Sequence, residues 1–275
     1  MNILKLLDKL SDDTFFTKES SRLETLTHIS EFGKKAAVSS IPLGLGALMT
    51  TTSTAKAQTT TANETGNTNK SALTDALQLA LTLEYLEDEY YSIGLSTAGL
   101  IPSTDRPVFM QISKHETAHV AFLKSTLTSL NVIPAAKPNF DFTADGAFDP
   151  FSDYDQFLTL AQAFEDTGVR AYKGQAGNVM ANKTVLQAAL QIHSVEARHA
   201  SQVRRMRANK GWIELADGGG IPTAVNDKVY IGEDFTMQLP NFNAATAFGP
   251  EAGSAAYDEI LTGSAAQAIA AMFID

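Results

Sequence analysis

The sequence predicts an all-α protein built on a four-helix bundle, with a long crossover between the second and third helices. Four stretches repeat apolar residues at the i, i+3, i+4, i+7 spacing of an amphipathic helix. Between the second and third stretches, residues 131–151 carry three prolines and have no helical period. Helices of about 26 residues are roughly 39 Å long, and some twenty extended residues can carry the chain along such a bundle.

Each predicted helix is bounded by residues that favour helix starts or ends. Ser71 can cap the first helix, and Gly94 stands near its end. Asp105 and Pro107 fit the first turn of the second helix, which we predict over residues 103–130. The third helix is predicted to begin at residue 152 or 153 and to fade after the two glycines within 174–177. The fourth, over residues 182–210, contains no proline and no glycine.

Two segments flank the predicted bundle, which we assign to residues 71–212. Residues 58–70 are rich in Thr and Asn and predict a flexible tether. Residues 213–275 open with a Gly-rich break before Pro222 and predict a mostly irregular extension that packs on the bundle. Within this extension, Thr262 or Ser264 can cap a short Ala-rich helix that runs to Phe273.

Residues 1–57 have the pattern of an export signal. Lys34 and Lys35 precede an apolar run over residues 36–49, and Ala55-Lys56-Ala57 offers a small-residue cleavage site. We therefore expect an exported protein, periplasmic or extracytoplasmic, whose mature chain begins after Ala57 and holds no integral membrane span. The length resembles a twin-arginine signal, but only Arg22 stands where that signal needs two arginines. A cytoplasmic protein that retains its N-terminal extension is the alternative.

The composition limits the chemistry. The 275 residues include no cysteine, which excludes disulfides, thiolate metal sites and iron–sulfur clusters. Any metal must therefore be held by oxygen and imidazole ligands. The formal net charge of −10 argues against nucleic acid as a partner.

Polar residues recur on the apolar stripes at matching distances. Each of two helices carries a Glu-x-x-His motif, and the two motifs lie 80 residues apart; a single Glu on each of the other two helices recurs after 81 residues. The three-residue spacing places Glu and His on one face of a helix. A carboxylate in a core is costly unless it is protonated, paired or bound to metal. This is the pattern of a two-metal site in a four-helix bundle. The predicted ligands are Glu84, Glu116, His119, Glu165, Glu196 and His199.

The residue types indicate the chemistry of the predicted site. Four carboxylates balance two divalent cations, and oxygen with imidazole suits two iron or two manganese ions. Incomplete coordination leaves positions for oxygen or peroxide as the small-molecule substrate. We therefore predict a ferroxidase, peroxidase or catalase-like oxidoreductase.

Several neighbours of this set have more than one interpretation. Tyr91 and Tyr172 each follow a predicted ligand by seven residues, and fit either partners of the carboxylates or core aromatics. His193 could lie beside the site or be an ordinary core histidine, and Glu87 could be a further acid beside Glu84. The stretch His115-Glu116-Thr117-Ala118-His119 also matches the zinc-hydrolase signature, in which both histidines bind zinc, and this is a minor alternative.

The ligand pattern resembles the ferritin-like superfamily. More narrowly, the residues of segments 83–87, 115–116 and 195–199 resemble exported ferritin-like proteins that are grouped with plant desiccation-related proteins. The resemblance extends over roughly residues 70–275. It implies the ferritin-like bundle, and it also implies an alternative function, a non-enzymatic stress or desiccation-related protein in which the bound metal is structural. A homo-oligomer is compatible with either function.

Overall fold

Four long helices form the framework of the computed structural model, which describes residues 62–275. They are α1 (Ala62–Ser96), α2 (Arg106–Ser129), α3 (Tyr154–Val179) and α4 (Lys183–Met206). Helix α1 packs against α2, α3 packs against α4, and α1 and α3 join the two pairs. This arrangement confirms the predicted all-α bundle. The predicted export signal lies outside the described residues.

Helix α1 begins earlier than the sequence predicted. It starts at Ala62, so residues 62–70, which we expected to form part of a flexible tether, are helical. Ser71 lies inside the helix, where its Oγ donates to Asp75 Oδ2 at 2.9 Å rather than capping a backbone amide. No proline occurs in residues 62–70, so the polar composition alone does not interrupt the helix.

The boundaries of the other helices follow local capping chemistry. The Asp153 side chain accepts hydrogen bonds from the backbone amides of Asp155 and Gln156, and Asn182 accepts from the amide of Val185. Helix α4 ends at Met206, before the predicted end at residue 210, because Ala208 adopts a left-handed conformation with φ 60° that closes the helix.

The two glycines predicted to weaken the third helix do not end it. Helix α3 continues to Val179. At Gly174, a Cβ atom would lie 1.8 Å from the carbonyl oxygen of Leu261, so the glycine makes room for the C-terminal extension instead of breaking the helix.

The crossover of residues 130–153 runs along the bundle, as the sequence predicted. Gln78 on α1 holds its first part, because its side-chain amide donates to the carbonyl of Ile133 and accepts from the amide of Ala135. Further along, Phe142 is buried against Tyr90. The crossover is therefore an ordered layer on the bundle.

The C-terminal extension has more regular structure than the short helix we predicted. It contains α5 (Thr223–Val229), the antiparallel strands β1 (Met237–Leu239) and β2 (Phe242–Asn243), α6 (Ala245–Ser254), α7 (Gly263–Ala270) and a 3₁₀ turn (Ala271–Phe273). Helix α7 is the predicted helix, and the Thr262 side chain caps it by accepting from the amide of Ala265. The additional elements have ten residues or fewer, too short to show a clear period in sequence.

A buried arginine on α3 connects this extension to the bundle. Arg170 on α3 is fully buried and donates to the carbonyl oxygens of Val229, Ile231 and Glu259. Its Nε lies 2.6 Å from a carboxylate oxygen of Glu233. Its own carbonyl accepts from the amide of Leu261. One turn earlier on α3, Asp166 pairs with Arg204 of α4 at 2.6 Å.

Among residues 62–275, we find no helix with the length and apolar character needed to cross a bilayer.

Candidate metal centre

The six predicted ligands meet in the interior of the bundle. Helices α1 and α3 contribute one carboxylate each, and α2 and α4 contribute a carboxylate and an imidazole each. On every helix the ligands continue a stripe of buried apolar residues, such as Leu81 before Glu84 and Val203 after His199. The four carboxylates are 0 % exposed, and the two imidazoles at most 9 %. Their burial excludes bulk water, the usual partner of a charged side chain.

The six side chains form two overlapping groups. One consists of Glu84, Glu116, His119 and Glu196, and the other of Glu116, Glu165, Glu196 and His199. In each group, one potential ligand atom per residue lies within 4.8 Å of all the others. This spacing allows one cation to contact all four residues of a group.

Each group is arranged around the Nδ1 atom of its histidine. Nδ1 of His119 lies 2.9 Å from Glu116 Oε2, 3.1 Å from Glu196 Oε1 and 3.2 Å from Glu84 Oε2. Nδ1 of His199 lies 3.0 Å from Glu116 Oε1, 3.2 Å from Glu165 Oε2 and 3.7 Å from Glu196 Oε2. Glu116 and Glu196 thus direct one oxygen to each group, which is the geometry of bridging carboxylates.

Two tyrosines hold the carboxylates that are not shared. Tyr91 on α1 donates its hydroxyl hydrogen to Glu165 Oε1 on α3 at 2.5 Å, and Tyr172 on α3 donates to Glu84 Oε1 on α1 at 2.5 Å. The other oxygen of each glutamate faces its histidine. Burial and the neighbouring carboxylates raise the pKa of both tyrosines, so the hydroxyls keep their protons and act as donors.

Several buried ligand atoms have no hydrogen-bond partner among residues 71–275. They are Glu116 Oε1, Glu165 Oε2, both carboxylate oxygens of Glu196 and His199 Nδ1. His199 Nδ1 and Glu116 Oε1 are 3.0 Å apart, but they are not aligned as a hydrogen bond. Buried polar atoms are almost always paired in folded proteins, and unpaired ones reduce stability. A divalent cation in each group would satisfy all five atoms, so the residues fit the predicted metals.

The electrostatics of the cluster reflect a dense set of buried charges. Burial and the nearby Glu196 raise the pKa of Glu84 to about 8, and burial also raises the pKa of Glu165. Burial opposes protonation of His119, but the surrounding carboxylates outweigh it and raise its pKa to about 12. Likewise, burial opposes ionisation of Glu196, but the nearby imidazoles of His119 and His199 favour its charged form and lower its pKa to about 2. Without metal, protons on the histidines offset part of the negative charge.

Two further residues that the sequence singled out lie close to the cluster but in neither group. Glu87 is 2 % exposed, and a Cβ atom placed on Gly168 would lie 3.4 Å from its Oε1 and 3.5 Å from Glu196 Oε2. His193 directs Nδ1 to the backbone carbonyl of Val169 at 2.9 Å. Its ring therefore has a backbone partner on α3, as a core histidine would.

His115 is the residue near the site whose role sequence reasoning missed. From the sequence, it had a role only in the zinc-hydrolase alternative. Its Nδ1 instead lies 2.9 Å from Nε2 of His199, and its Nε2 lies 2.7 Å from the side-chain amide of Gln111. Both ring nitrogens are thus engaged, and His115 and His119 do not converge on one position as the zinc-hydrolase signature requires.

The fold and the cluster together define the class: a four-helix bundle with a buried carboxylate–histidine site. A comparison with protein families agrees, since the model of the ferritin-like domain matches residues 72–209. The chain belongs to this family. A search of curated proteins found no match.

Proposed function

We propose that the chain binds two iron or two manganese ions in this cluster and acts as an oxidoreductase toward oxygen or peroxide. The observation that supports the proposal most is the pair of overlapping four-residue groups, which contain five buried atoms without a hydrogen-bond partner among the described residues. Such bound ions would supply electrons to a small oxidant and recover them from a donor.

The residues of the chain would divide the binding work. Glu116 and Glu196 would bridge the two ions, because each directs its two oxygens to different histidines. Glu84 with His119 and Glu165 with His199 would complete the two positions. The four carboxylates carry the charge that two divalent cations require.

The surroundings of the cluster favour a reaction with a small molecule. Three carboxylates and one imidazole leave coordination positions open on either metal. Gly168 keeps the space beside Glu87 and Glu196 free of a side chain. Tyr91, whose hydroxyl contacts Glu165, packs with the fully buried rings of Phe109 and Phe157, and these rings exclude water.

Metal loading tests the proposal directly. Protein loaded with Fe(II) under anaerobic conditions and then exposed to air should bind two ions per chain and develop the near-ultraviolet absorbance of carboxylate-bridged ferric ions. Glu116→Ala combined with His199→Ala removes a bridge and one imidazole, and should abolish both the stoichiometry and the absorbance. Failure of the unmodified protein to take up two ions per chain would contradict the proposal.

A second candidate function is that of a stress protein whose metals only stabilise the bundle. The complete burial of the four carboxylates favours it, because structural metal sites are closed. In that case Zn(II) should raise the melting temperature as much as Fe(II) does, and air should oxidise bound Fe(II) no faster than free Fe(II). Rapid oxidation at the loaded site would favour the oxidoreductase.

A further inference from the structure

The two histidines of the cluster differ in what their outer nitrogens contact. Nε2 of His199 lies 2.9 Å from Nδ1 of His115, and the two rings meet edge to edge and nearly coplanar, with centroids 5.1 Å apart and planes inclined by 11°. The hydrogen bonds of His119 to other described residues all involve Nδ1, so its Nε2 has no such support. The two metal positions are therefore not equivalent, although their direct ligands match.

The difference originates in the internal repeat. Glu116 and His119 recur 80 residues later as Glu196 and His199, but the position that corresponds to His115 holds Val195. Valine cannot accept a hydrogen bond. Among the described residues, an imidazole therefore supports the outer nitrogen of His199, and none supports that of His119.

The geometry also determines the direction of the hydrogen bonds once a metal is bound. A cation on Nδ1 of His199 requires the ring proton to reside on Nε2, and that N–H points at Nδ1 of His115. His115 then accepts through Nδ1 and carries its own proton on Nε2. This N–H faces the side-chain amide of Gln111, which can turn its oxygen to accept it.

We propose that His115 is a positioning residue for His199, and that it makes the His199 position the tighter and first-filled of the two. The inference rests on the proposed metal binding. A hydrogen bond to the outer nitrogen of a ligating histidine fixes the ring orientation and increases its basicity as a ligand. His119 lacks this support from the described residues, so the His119 position should bind the second ion.

Two substitutions separate the hydrogen bond from the space that the ring fills. His115→Phe keeps an aromatic ring but removes the acceptor, whereas His115→Asn places an amide oxygen near the former Nδ1. Anaerobic titration with Co(II) provides visible absorption bands without any turnover. His119→Ala and His199→Ala supply reference spectra for an ion in only one of the two positions. His193→Phe is the matched control, because His193 contacts a backbone carbonyl rather than a ligand.

At one Co(II) per chain, the unmodified protein should show the spectrum of His119→Ala, which retains the His199 position. His115→Phe should weaken the first binding constant by about 10- to 100-fold and give a mixture of the two reference spectra. His115→Asn should restore both properties to within a few-fold. Urea unfolding of the metal-free variants checks that the fold is retained.

The inference is overturned if His115→Phe leaves the first constant and the spectrum unchanged, or if His193→Phe weakens binding as much. It is also overturned if the unmodified protein distributes one equivalent evenly between the positions. An unmodified protein that binds no Co(II) at all would instead contradict the proposed metal binding.

Discussion

Two buried polar clusters lie along helix α3, and they balance charge in different ways. In the arginine cluster, which consists of Arg170, Glu233, Arg204 and Asp166, each guanidinium group lies 2.6 Å from a carboxylate. In the metal centre, four carboxylates converge on two imidazoles, and five ligand atoms have no hydrogen-bond partner among the described residues. Both clusters are buried in the same bundle and share one helix.

The difference indicates two reasons for burying charge. The arginine cluster pairs its charges within the chain and connects the C-terminal extension to the bundle, so its contribution is structural. The candidate metal centre has more negative groups than the chain can pair, which reduces the stability of the metal-free protein. Substitutions in the first cluster should therefore change the metal-free protein, and substitutions in the second should change the response to metal.

Removal of Arg170 should have the largest effect. Arg170→Met leaves Glu233 and several backbone carbonyls buried without their donor, and loss of one partner of a buried pair costs about 3–5 kcal/mol. Urea unfolding of the metal-free protein at pH 8 measures the loss. Arg198→Met, at an exposed position of α4, is the matched control and should stay within about 0.5 kcal/mol. Equal losses in the two variants would contradict a structural role for the cluster.

The pH dependence of stability should report Glu233. Burial raises its pKa from 4.5 to about 7 despite the nearby charges of Arg170 and Lys173, and Asp258 adds to the rise. The folded state then binds this proton more tightly than the unfolded state, so stability is lost as pH rises from about 4.5 to 7. The loss amounts to about 3 kcal/mol. Unfolding at pH 5 and pH 8 should show a larger decrease for the unmodified protein than for Glu233→Gln. Parallel curves would contradict the assignment.

A substitution in the candidate metal centre should change the response to metal rather than the stability of the metal-free protein. Glu84→Gln keeps the size of the side chain and an oxygen for Tyr172, but removes a carboxyl group whose ionisation is unfavourable in the metal-free cluster, so the metal-free protein should be as stable as the unmodified one or more stable. Metal at 100 times its dissociation constant should stabilise the unmodified protein by about 2.7 kcal/mol for each bound ion. Glu84→Gln should lose most of the gain from the ion at the His119 position, to which Glu84 belongs. Glu251→Gln, at an exposed position of α6, should retain it. A large loss of metal-free stability in Glu84→Gln would contradict the contrast.

Two adjacent tyrosines provide the comparison with the smallest expected effect. Tyr91 donates to Glu165, whereas Tyr90 donates to the backbone carbonyl of Phe157 at 2.8 Å. Tyr91→Phe should weaken metal binding by about 10- to 100-fold, because an oriented ligand loses its partner. Tyr90→Phe should reduce stability by about 1 kcal/mol and leave metal affinity unchanged. Calorimetric metal titration and urea unfolding of both variants test this, and a similar affinity loss in both would count against a specific role for Tyr91.

The bundle and the convergence of the six acidic and histidine side chains could be predicted from sequence because their signals are local and periodic. Glu84 and Glu165 interrupt apolar stripes, and Asp153 and Asn182 stand at helix starts as capping residues do. The roles of Gly174 and His115 could not be read in this way. The glycine resembles a helix breaker until Leu261 is placed against it, and the contact of His115 depends on how α2 and α4 face each other across 84 residues.

Hydrogen bonds from two tyrosines connect the two helix pairs, so the candidate site would not survive cleavage of the chain into separate pairs. Tyr91 belongs to the first helix pair but orients Glu165 of the second, and Tyr172 of the second pair orients Glu84 of the first. Both candidate metal positions also include Glu116 from the first pair and Glu196 from the second. Neither helix pair alone contains a complete position. Two fragments separated within the crossover would therefore bind metal only after they associate, and metal uptake would serve as a reporter of fragment complementation.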